Sequence, residues 1–343
     1  MNMNRKIMSV ILVVAMLVTM AFSFSWCQQK KWPEKPITIV VSSTAGGGTD
    51  LGNRVLGAAM EKELGQKINV INIPAGGGGA AAHQVFSAPH DGYNLLGFFE
   101  GIFSFAVMNA HNSTTKDWEY FLLGGTPGVM SVRADSPYNS VEDVIMAMKD
   151  KPGQIKLANS SVGCIWDIKA ALLKNAAGID YKYMPYQGSN PSILACLSGE
   201  VDVIITGLGE QAEFLAAKKL KPLAMIELED MDVPGYTKVP SITKAVPKMK
   251  DVLPLNQTIG FAVPADAPKE MIATLDAAFK KAVQSEEVKK YAKDKYLVIA
   301  GSSGVEMKEI AKNMEATLSW ILYDNGVAPK SPEEFKIARP VKK

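Results

Sequence analysis

The stretch "VVSSTAGGGTD", from Val40 to Asp50, leads an apolar, β-branched run through three consecutive glycines into a helix-forming run. A second junction of this kind, "INVINIPAGGGGAAA", covers 68–82. Because glycine has no Cβ atom, the main chain can approach another molecule closely, and the N–H groups in the first turn of a following helix are free to donate to it. The two junctions therefore predict ligand contacts where strands end and helices begin.

The rest of the chain repeats this alternation of short β-branched runs and amphipathic helical runs. "YNLLGFF" predicts a third strand, and a second α/β series extends from "GVMSVRA" at 128–134 to "KPLAMIE" at 221–227. Between 230 and 255 the periodicity is weak and Pro and Lys are frequent, which suits a connection back to the first series. The pattern predicts an α/β protein whose largely parallel sheets are covered by helices.

The composition is that of a globular protein, with 47% hydrophobic and 21% charged residues. A chain of 343 residues is long enough for two domains of ordinary size. The formal net charge is +2, and Arg5 and Lys6 near the N-terminus supply this excess. The remainder is close to neutral, so no nucleic-acid partner is expected.

The first 26 residues are typical of a signal peptide. Two basic residues precede an apolar run over 7–22, and the small residues Ser23 and Ser25 suit cleavage before Trp26. A membrane anchor is disfavoured because this run is short for a hydrocarbon core about 30 Å thick. A lipid anchor on Cys27 is a weaker alternative. We therefore expect a periplasmic or otherwise extracytoplasmic protein.

Catalytic and cofactor chemistry receive less support from the sequence. The Gly76–Gly79 cluster fits G-x-G-x-x-A, and Glu100 follows the next strand, where the ribose-binding acid of a dinucleotide site belongs, so an exported oxidoreductase remains an alternative. The sequence contains no P-loop, no G-x-S-x-G elbow and no metal-ligand spacing of histidines or cysteines. We expect no cofactor, no metal site and no catalytic residue.

Glycine-rich turns at helix starts are suited to anions, since a helix N-terminus carries about half a positive charge together with free N–H donors. Three more junctions of this type stand in the second series, in "NSSVGC", "YQGSNP" and "TGLGE". They predict that main-chain N–H groups and hydroxyl groups hold a carboxylate. The expected hydroxyl donors are Ser43, Thr44, Thr49, Ser160, Ser161 and Ser189.

The order and spacing of several phrases resemble the receptors of tripartite tricarboxylate transporters, also called Bug proteins. In the first third these phrases are "WPEKPI" at 32–37, "AGGGTD" at 45–50, "LGQ" at 64–66, "PAGGGG" at 74–79 and "PHDGYNL" at 89–95. Downstream, "MPYQGSNPSILACLSGEVDV" and "GFAVPADAPKEMIATLDAAF" are similar to two later phrases of the family. The resemblance extends from Trp32 to about Tyr323.

This resemblance implies a two-domain periplasmic-binding-protein fold of type II, in which hinged lobes close on a solute like a Venus flytrap. Domain 1 is expected over 32–132 and 257–343, and domain 2 over 133–256. The implied function is a receptor, not an enzyme, that delivers a small organic solute, a carboxylate or an aromatic acid, to a membrane permease. We expect a monomer, and a receptor repurposed for sensing remains an alternative.

The family's ligand-contacting loops carry over to the glycine-rich junctions of this sequence. The expected ligand-binding residues are Ser43, Thr44, Ala45, Gly46, Gly47, Gly48, Thr49, Asp50, Gly76, Gly77, Gly78, Gly79, Glu100, Ser160, Ser161, Gly163, Cys164, Trp166, Gly188, Ser189, Asn190 and Asp202. Asp202 is expected to brace the pocket rather than to touch the solute. Glu100 is either a negative charge in the pocket or a solvated acid at a strand end, and Trp166 is either a stacking wall or a core residue. Cys164 and Cys196 are expected to stay unpaired.

Overall fold

The computed structural model describes residues 32–340, and the chain from Lys35 onward forms one compact unit. The predicted signal peptide and Cys27 lie outside the described residues, so cleavage and lipid attachment stay predictions. Within the described range, no helix combines the length and the apolar character needed to cross a bilayer.

Strands and helices alternate along most of the chain. The strands are β1 (Ile37–Val41), β2 (Ile68–Asn72), β3 (Asn94–Phe98), β4 (Trp118–Gly125), β5 (Gly128–Arg133), β6 (Lys156–Ala158), β7 (Lys182–Met184), β8 (Val203–Gly207), β9 (Leu220–Met225), β10 (Met231–Val233), β11 (Tyr236–Val239), β12 (Ile259–Pro264) and β13 (Val298–Ser303). The helices are α1 (Gly48–Leu64), α2 (Gly79–Ser87), α3 (Val141–Asp150), α4 (Ile165–Ala177), α5 (Ser189–Ser198), α6 (Leu208–Ala216), α7 (Ile242–Ala245), α8 (Lys269–Ala282), α9 (Glu286–Asp294) and α10 (Gly304–Asp324).

Two sheets organise the compact unit and define its two lobes. The strand order is β13-β4-β12-β3-β1-β2 in lobe 1 and β7-β6-β8-β5-β9 in lobe 2. β1 pairs in parallel with β2 and β3, and β6 pairs in parallel with β7 and β8. β12 and β5 are antiparallel to both of their neighbours. The predicted two-lobed α/β fold is present. Parallel pairing was predicted for each sheet as a whole, but it is found in only about one half of each sheet.

The antiparallel halves arise from the connections between the lobes. The chain leaves lobe 1 after β4, enters lobe 2 as β5 and returns as β12, which inserts between β3 and β4. Hydrophobic periodicity locates a strand but carries no information about its direction, which here depends on connections that span a whole lobe. Because β5 pairs with β8 and β9, it lies in the second sheet, although the predicted boundary at 132/133 assigned it to domain 1.

The two connecting segments run side by side. Gln257 Oε1 accepts hydrogen bonds from the N–H and from the hydroxyl of Thr126, each at 3.0 Å. A Cβ atom added at Gly125 would lie 2.0 Å from the carbonyl oxygen of Gln257, so this approach requires glycine. These two segments connect the lobes, so any rotation of one lobe against the other must bend both of them, and they are hydrogen-bonded to each other.

Local sequence explains several element ends and the core beneath them. Phe121 and Phe261 stack across β4 and β12 with ring centroids 4.6 Å apart, and Phe279 of α8 meets both rings nearly perpendicularly. Ser140 starts α3 with a capping box, and Gly178 ends α4 in the left-handed conformation. These features hold the strand ends in place.

Sequence reasoning missed β4, β13 and the hairpin of β10 and β11. The amphipathic pattern of 269–295 predicts one long helical region, whereas the structure has two helices there. Ser285 separates them, because its hydroxyl accepts the Val288 N–H and caps the start of α9.

Candidate functional site

A cavity lies where loops from both lobes meet, at the carboxyl ends of the parallel strands. Loops that follow β1, β2 and β3 in lobe 1 face loops that follow β6, β7 and β8 in lobe 2. The space open to the centre of a water molecule is about 50 Å³, several times what one ordered water needs. The lining residues are Ser42, Ser43, Thr44, Gly47, Gly48, Thr49, Pro74, Gly77, Phe99, Glu100, Ser160, Ser161, Cys164, Trp166, Gln187, Gly188, Ser189, Glu210 and Gln257.

Most of the residues predicted from the glycine-rich junctions are brought together in this wall. They are Ser43, Thr44, Gly47, Gly48, Thr49, Gly77, Glu100, Ser160, Ser161, Cys164, Trp166, Gly188 and Ser189. Their contact with a solute stays a prediction, but residues from five separate loops share one cavity.

The loop after β1 is held from behind by Asp50. Its Oδ2 atom accepts the Gly46 N–H at 2.8 Å, and the same carboxylate bonds Arg54 and Asn72. Asp50 therefore supports the loop without lining the cavity. Ser43 lines the cavity, and its hydroxyl oxygen is buried without a hydrogen-bond partner among the described residues.

Glu100 crosses from lobe 1 to a helix N-terminus of lobe 2. Its Oε1 accepts the N–H of Ile165, the first residue of α4, at 2.7 Å, and its Oε2 accepts the Thr258 N–H at 3.2 Å. The side chain is 2% exposed, so the alternative of a solvated acid at a strand end is wrong. Burial raises the pKa of Glu100 to about 7, while the backbone hydrogen bonds oppose this shift.

Glu210 makes the reciprocal contact from lobe 2. Its Oε1 accepts the N–H of Gly48, the first residue of α1, at 3.1 Å, and its Oε2 accepts the Gly207 N–H at 3.0 Å. The Ser189 side chain bonds the same carboxylate, and burial raises the pKa of Glu210. Sequence reasoning expected the starts of α1 and α4 to be open to a solute carboxylate. Instead, a carboxylate of the protein itself occupies one N–H group of each.

Trp166 lines the cavity and is also a core residue, and its stacking against a solute stays a prediction. It is 2% exposed, and Cβ atoms built at Gly128 and Gly207 would lie 2.7 and 3.2 Å from its ring. Lys169 Nζ lies 5.3 Å from the ring centroid and 2.6 Å from Glu227 Oε1. Burial lowers the pKa of Lys169, and Glu227 opposes that shift.

The remaining predicted residues lie around the cavity rather than in its wall. They are Ala45, Gly46, Asp50, Gly76, Gly78, Gly79, Gly163, Asn190 and Asp202. Asn190 Nδ2 donates to the carbonyl oxygen of Gly46 at 3.2 Å and so joins the lobes at the rim. Asp202 is exposed and accepts the Lys156 N–H at 2.8 Å, which braces β6 against β8.

Gly78 and Gly79 of the Gly76–Gly79 cluster pack closely against the protein itself, whereas a Cβ atom at Gly76 or Gly77 would have no neighbour within 4 Å. A Cβ atom at Gly79 would lie 2.1 Å from the carbonyl oxygen of Ala110, and one at Gly78 would lie 2.9 Å from Cβ of Ser42. A dinucleotide site would use the same closeness for a pyrophosphate. The geometry therefore gives no support to the alternative of a dinucleotide-binding oxidoreductase.

Six lining residues were missed from the sequence: Ser42, Pro74, Phe99, Gln187, Glu210 and Gln257. Glu210 carried a usable signal, because it is the third residue of α6, where a glutamate can accept the N–H of the residue before the helix, here Gly207. Gln257 carried none, since it lies in the returning connection and reaches the cavity only through the pairing of the two connecting segments.

Cys164 and Cys196 are buried and unpaired, which confirms the prediction. Burial raises the pKa of each thiol to about 12. Within residues 32–340, no group of three or more His, Cys, Asp and Glu side chains is placed to hold a metal ion.

Known relatives share most of the length of this chain. The family described as "Tripartite tricarboxylate transporter family receptor" matches residues 53–321. The UPF0065 protein in the gbd 5' region of Cupriavidus necator is 30% identical over 263 residues, which are 75% of this chain and 77% of that protein.

Solved structures share the fold. A protein from R. palustris, solved with adipate, has a TM-score of 0.78 at 24% identity, with 88% of this chain and 100% of that chain covered. MatC from Rhodopseudomonas palustris, with bound malate, has a TM-score of 0.76 at 22% identity, with 85% and 100% covered. These similarities confirm the two-lobed α/β fold. Because the family match covers well over half of the sequence, the chain belongs to the receptors of the tripartite tricarboxylate transporter family.

Proposed function

We propose that this receptor binds a small organic solute with at least one carboxylate in the cavity between its lobes, outside the cytoplasm, and presents its closed form to a membrane permease. The observation that carries the proposal is the cavity itself, which loops of both lobes line at the carboxyl ends of strands. Ligands of open α/β sheets bind at these ends. Proteins of the same fold hold adipate and malate, which favours an organic acid here.

The proposed mechanism is closure without catalysis. Hydroxyl groups on Ser43 and Thr44 of lobe 1 and on Ser160 and Ser161 of lobe 2 would donate to the solute carboxylate from both sides. A solute that contacts both lobes binds the closed form better than the open form, and this difference in affinity drives closure. We propose a monomer, since both lobes are formed by one chain and their closure on a solute needs no second copy.

The proposed axis of closure passes through 125–127 and 256–258. Thr126 and Gln257 tie these segments together, and β5 pairs within lobe 2 immediately after the first of them. We therefore propose that the lobes divide at these segments rather than at 132/133.

The test is a thermal-shift screen of small organic acids with the purified protein, followed by calorimetry of each hit. A bound solute raises the melting temperature, because it stabilises the folded state by an amount that grows with the logarithm of its concentration divided by its dissociation constant. Ser161→Ala and Ser43→Ala should each weaken a hit by about tenfold, because each removes one charge-assisted hydrogen bond. Ser198→Ala is the matched control, since Ser198 is exposed at the far end of α5.

Two results would contradict the proposal. One is a solute that binds equally well to wild type, Ser161→Ala and Ser43→Ala, since binding would then lie outside the cavity. The other is saturable binding of NAD with no binding of any organic acid, which would restore the oxidoreductase alternative.

A further inference from the structure

The charged side chains in the cavity wall are the two carboxylates of Glu100 and Glu210, one from each lobe, and the lining contains no Lys, Arg or His. Lys169 lies near Trp166, but its ammonium group already bonds Glu227 and the carbonyl oxygen of Ile226. The wall is therefore acidic, although the family relatives discussed above were solved with dicarboxylic acids.

Both carboxylates are fixed in place and still have capacity to accept. The N–H groups of Ile165 and Thr258 hold one oxygen each of Glu100, and those of Gly48 and Gly207 hold one oxygen each of Glu210. The Ser189 side chain also bonds Glu210, and the N–H of Glu100 bonds its own carboxylate, so three donors occupy about four lone-pair sites in each case and each carboxylate can accept one further donor. Because backbone groups of both lobes hold them, neither side chain is free to swing out of the cavity.

A second part of the wall is suited to the opposite charge. Ser43 Oγ exposes almost no surface and has no hydrogen-bond partner among the described residues, although Ser43 lines the cavity. Its neighbours in the wall include the hydroxyl groups of Thr44 and Ser161. A buried hydroxyl without a partner is costly unless a guest supplies one, and a solute carboxylate would accept its proton.

We propose that the solute is a zwitterion that carries a protonated amine near its carboxylate, as an α-amino acid does, and that Glu100 and Glu210 select the ammonium group. This inference rests on the proposed receptor function. An ammonium group would donate to the free lone pairs of the two acids and lie beside the rings of Phe99 and Trp166, which also attract cations. A dicarboxylate without an amine would add negative charge to a wall whose neighbouring cation, Lys169, is already paired with Glu227.

The test compares solutes that differ only by an ammonium group in place of a hydroxyl group. The pairs are alanine and lactate, aspartate and malate, and phenylalanine and phenyllactate, each measured by calorimetry at pH 8. In at least one pair we expect the amino acid to bind at least tenfold more tightly. Three sizes are used so that the result does not depend on how far the cavity expands.

The variants Glu100→Gln and Glu210→Gln then assign the selectivity. Each should reduce the affinity ratio between amino acid and hydroxy acid by at least fivefold. The ratio is the informative quantity, because a change in the ease of closure affects both members of a pair alike. Glu213→Gln is the matched control, since Glu213 is an exposed glutamate one turn further along α6 and should leave the ratio unchanged.

Three results would overturn the inference, and they are distinguishable from failure of the receptor function. Tighter binding of the hydroxy acid in every pair, or a ratio that stays the same in both glutamine variants, would overturn it while the receptor function stands. Failure of all six compounds together with an empty screen of organic acids would contradict the receptor function, and the inference with it.

Discussion

At the scale of single residues, the acids of the cavity have a double role. Glu100 and Glu210 each neutralise the N-terminus of a helix that belongs to the other lobe, so the positive ends expected to attract a solute are partly satisfied by the protein. The protein bears the cost of burying these carboxylates, and that cost appears as a raised pKa for each.

The raised pKa of Glu100 predicts a pH-dependent stability. Its ordinary value is 4.5 and its folded value is about 7, so between these values the folded protein retains a proton that the unfolded chain releases. The contribution of this group to stability is therefore complete below pH 4.5. As the pH rises to 7 the contribution is lost, and the free energy of unfolding falls by up to about 3 kcal/mol. Thermal unfolding from pH 5 to 8 should show a smaller decline in Glu100→Gln. An identical decline in both proteins would contradict the assignment.

Lys169 provides a second prediction at this scale. It is fully buried, and its ammonium group bonds Glu227 at 2.6 Å beneath Trp166. Lys169→Met should lower the free energy of unfolding by about 3 kcal/mol, because it leaves Glu227 without its cation. Adding Glu227→Gln should restore part of this loss, since the amide oxygen can still accept the Gly128 N–H. Denaturant unfolding of the four proteins checks the cycle, and additive losses would contradict a coupled pair.

At the scale of elements, the loop before α5 shows how closely the lobes meet. Gly188 has a φ of 133°, and a Cβ atom there would lie 2.1 Å from Thr44 Oγ of the other lobe. Its N–H donates to the carbonyl oxygen of Ser160 at 2.5 Å, so the turn cannot move away freely. One hydrogen atom in place of a methyl group therefore permits the approach of two loops.

We expect Gly188→Ala to weaken solute binding by at least tenfold, because the added methyl group keeps the lobes apart. Gly178→Ala is the control: it also has a positive φ, of 61°, in lobe 2, but an added Cβ has no neighbour within 4 Å. Gly178→Ala should lose about 1 kcal/mol of stability through left-handed strain, and Gly188→Ala should lose more, about 2 to 3 kcal/mol, because its φ of 133° with ψ of 166° is a conformation essentially restricted to glycine. Calorimetry with a solute from the screen separates the two, and equal affinities would mean that Gly188 does not limit closure.

At the scale of the whole molecule, direct contacts across the cleft join the lobes. They include Glu100 with Ile165, Glu210 with Gly48, and the rim contact of Asn190. The Thr126–Gln257 bonds join the two connecting segments to each other and do not cross the cleft.

The double variant Glu100→Gln/Glu210→Gln should therefore open. An amide has one oxygen for two N–H donors, so each substitution turns an N–H acceptor into a donor facing an N–H group. Small-angle X-ray scattering without solute should give a larger radius of gyration for the double variant than for wild type. Glu142→Gln, at an exposed position of α3 in lobe 2, should scatter as wild type does. Unchanged scattering in the double variant would show that these bonds do not hold the lobes.

Local sequence determined much of the fold and of the cavity wall. The glycine-rich junctions after β1, β2 and β6 were predictable, because only residues without a side chain permit such turns and because strand ends and helix starts are local features. Ser43, Thr44, Ser160 and Ser161 followed from the same junctions, since they are the hydroxyl groups next to the turns.

Only the tertiary structure decided what faces these junctions. The insertion of β12 between β3 and β4 depends on a connection through the whole of lobe 2, and it brings Gln257 beside Thr126. The meeting of Glu100 with Ile165, and of Glu210 with Gly48, joins residues that are far apart in the chain. The position of a helix start, and therefore of its free N–H groups, can be predicted from the sequence. Which acidic side chain accepts from those groups depends on how the two lobes pack. For this protein, that packing turned a predicted anion site into an acidic cavity.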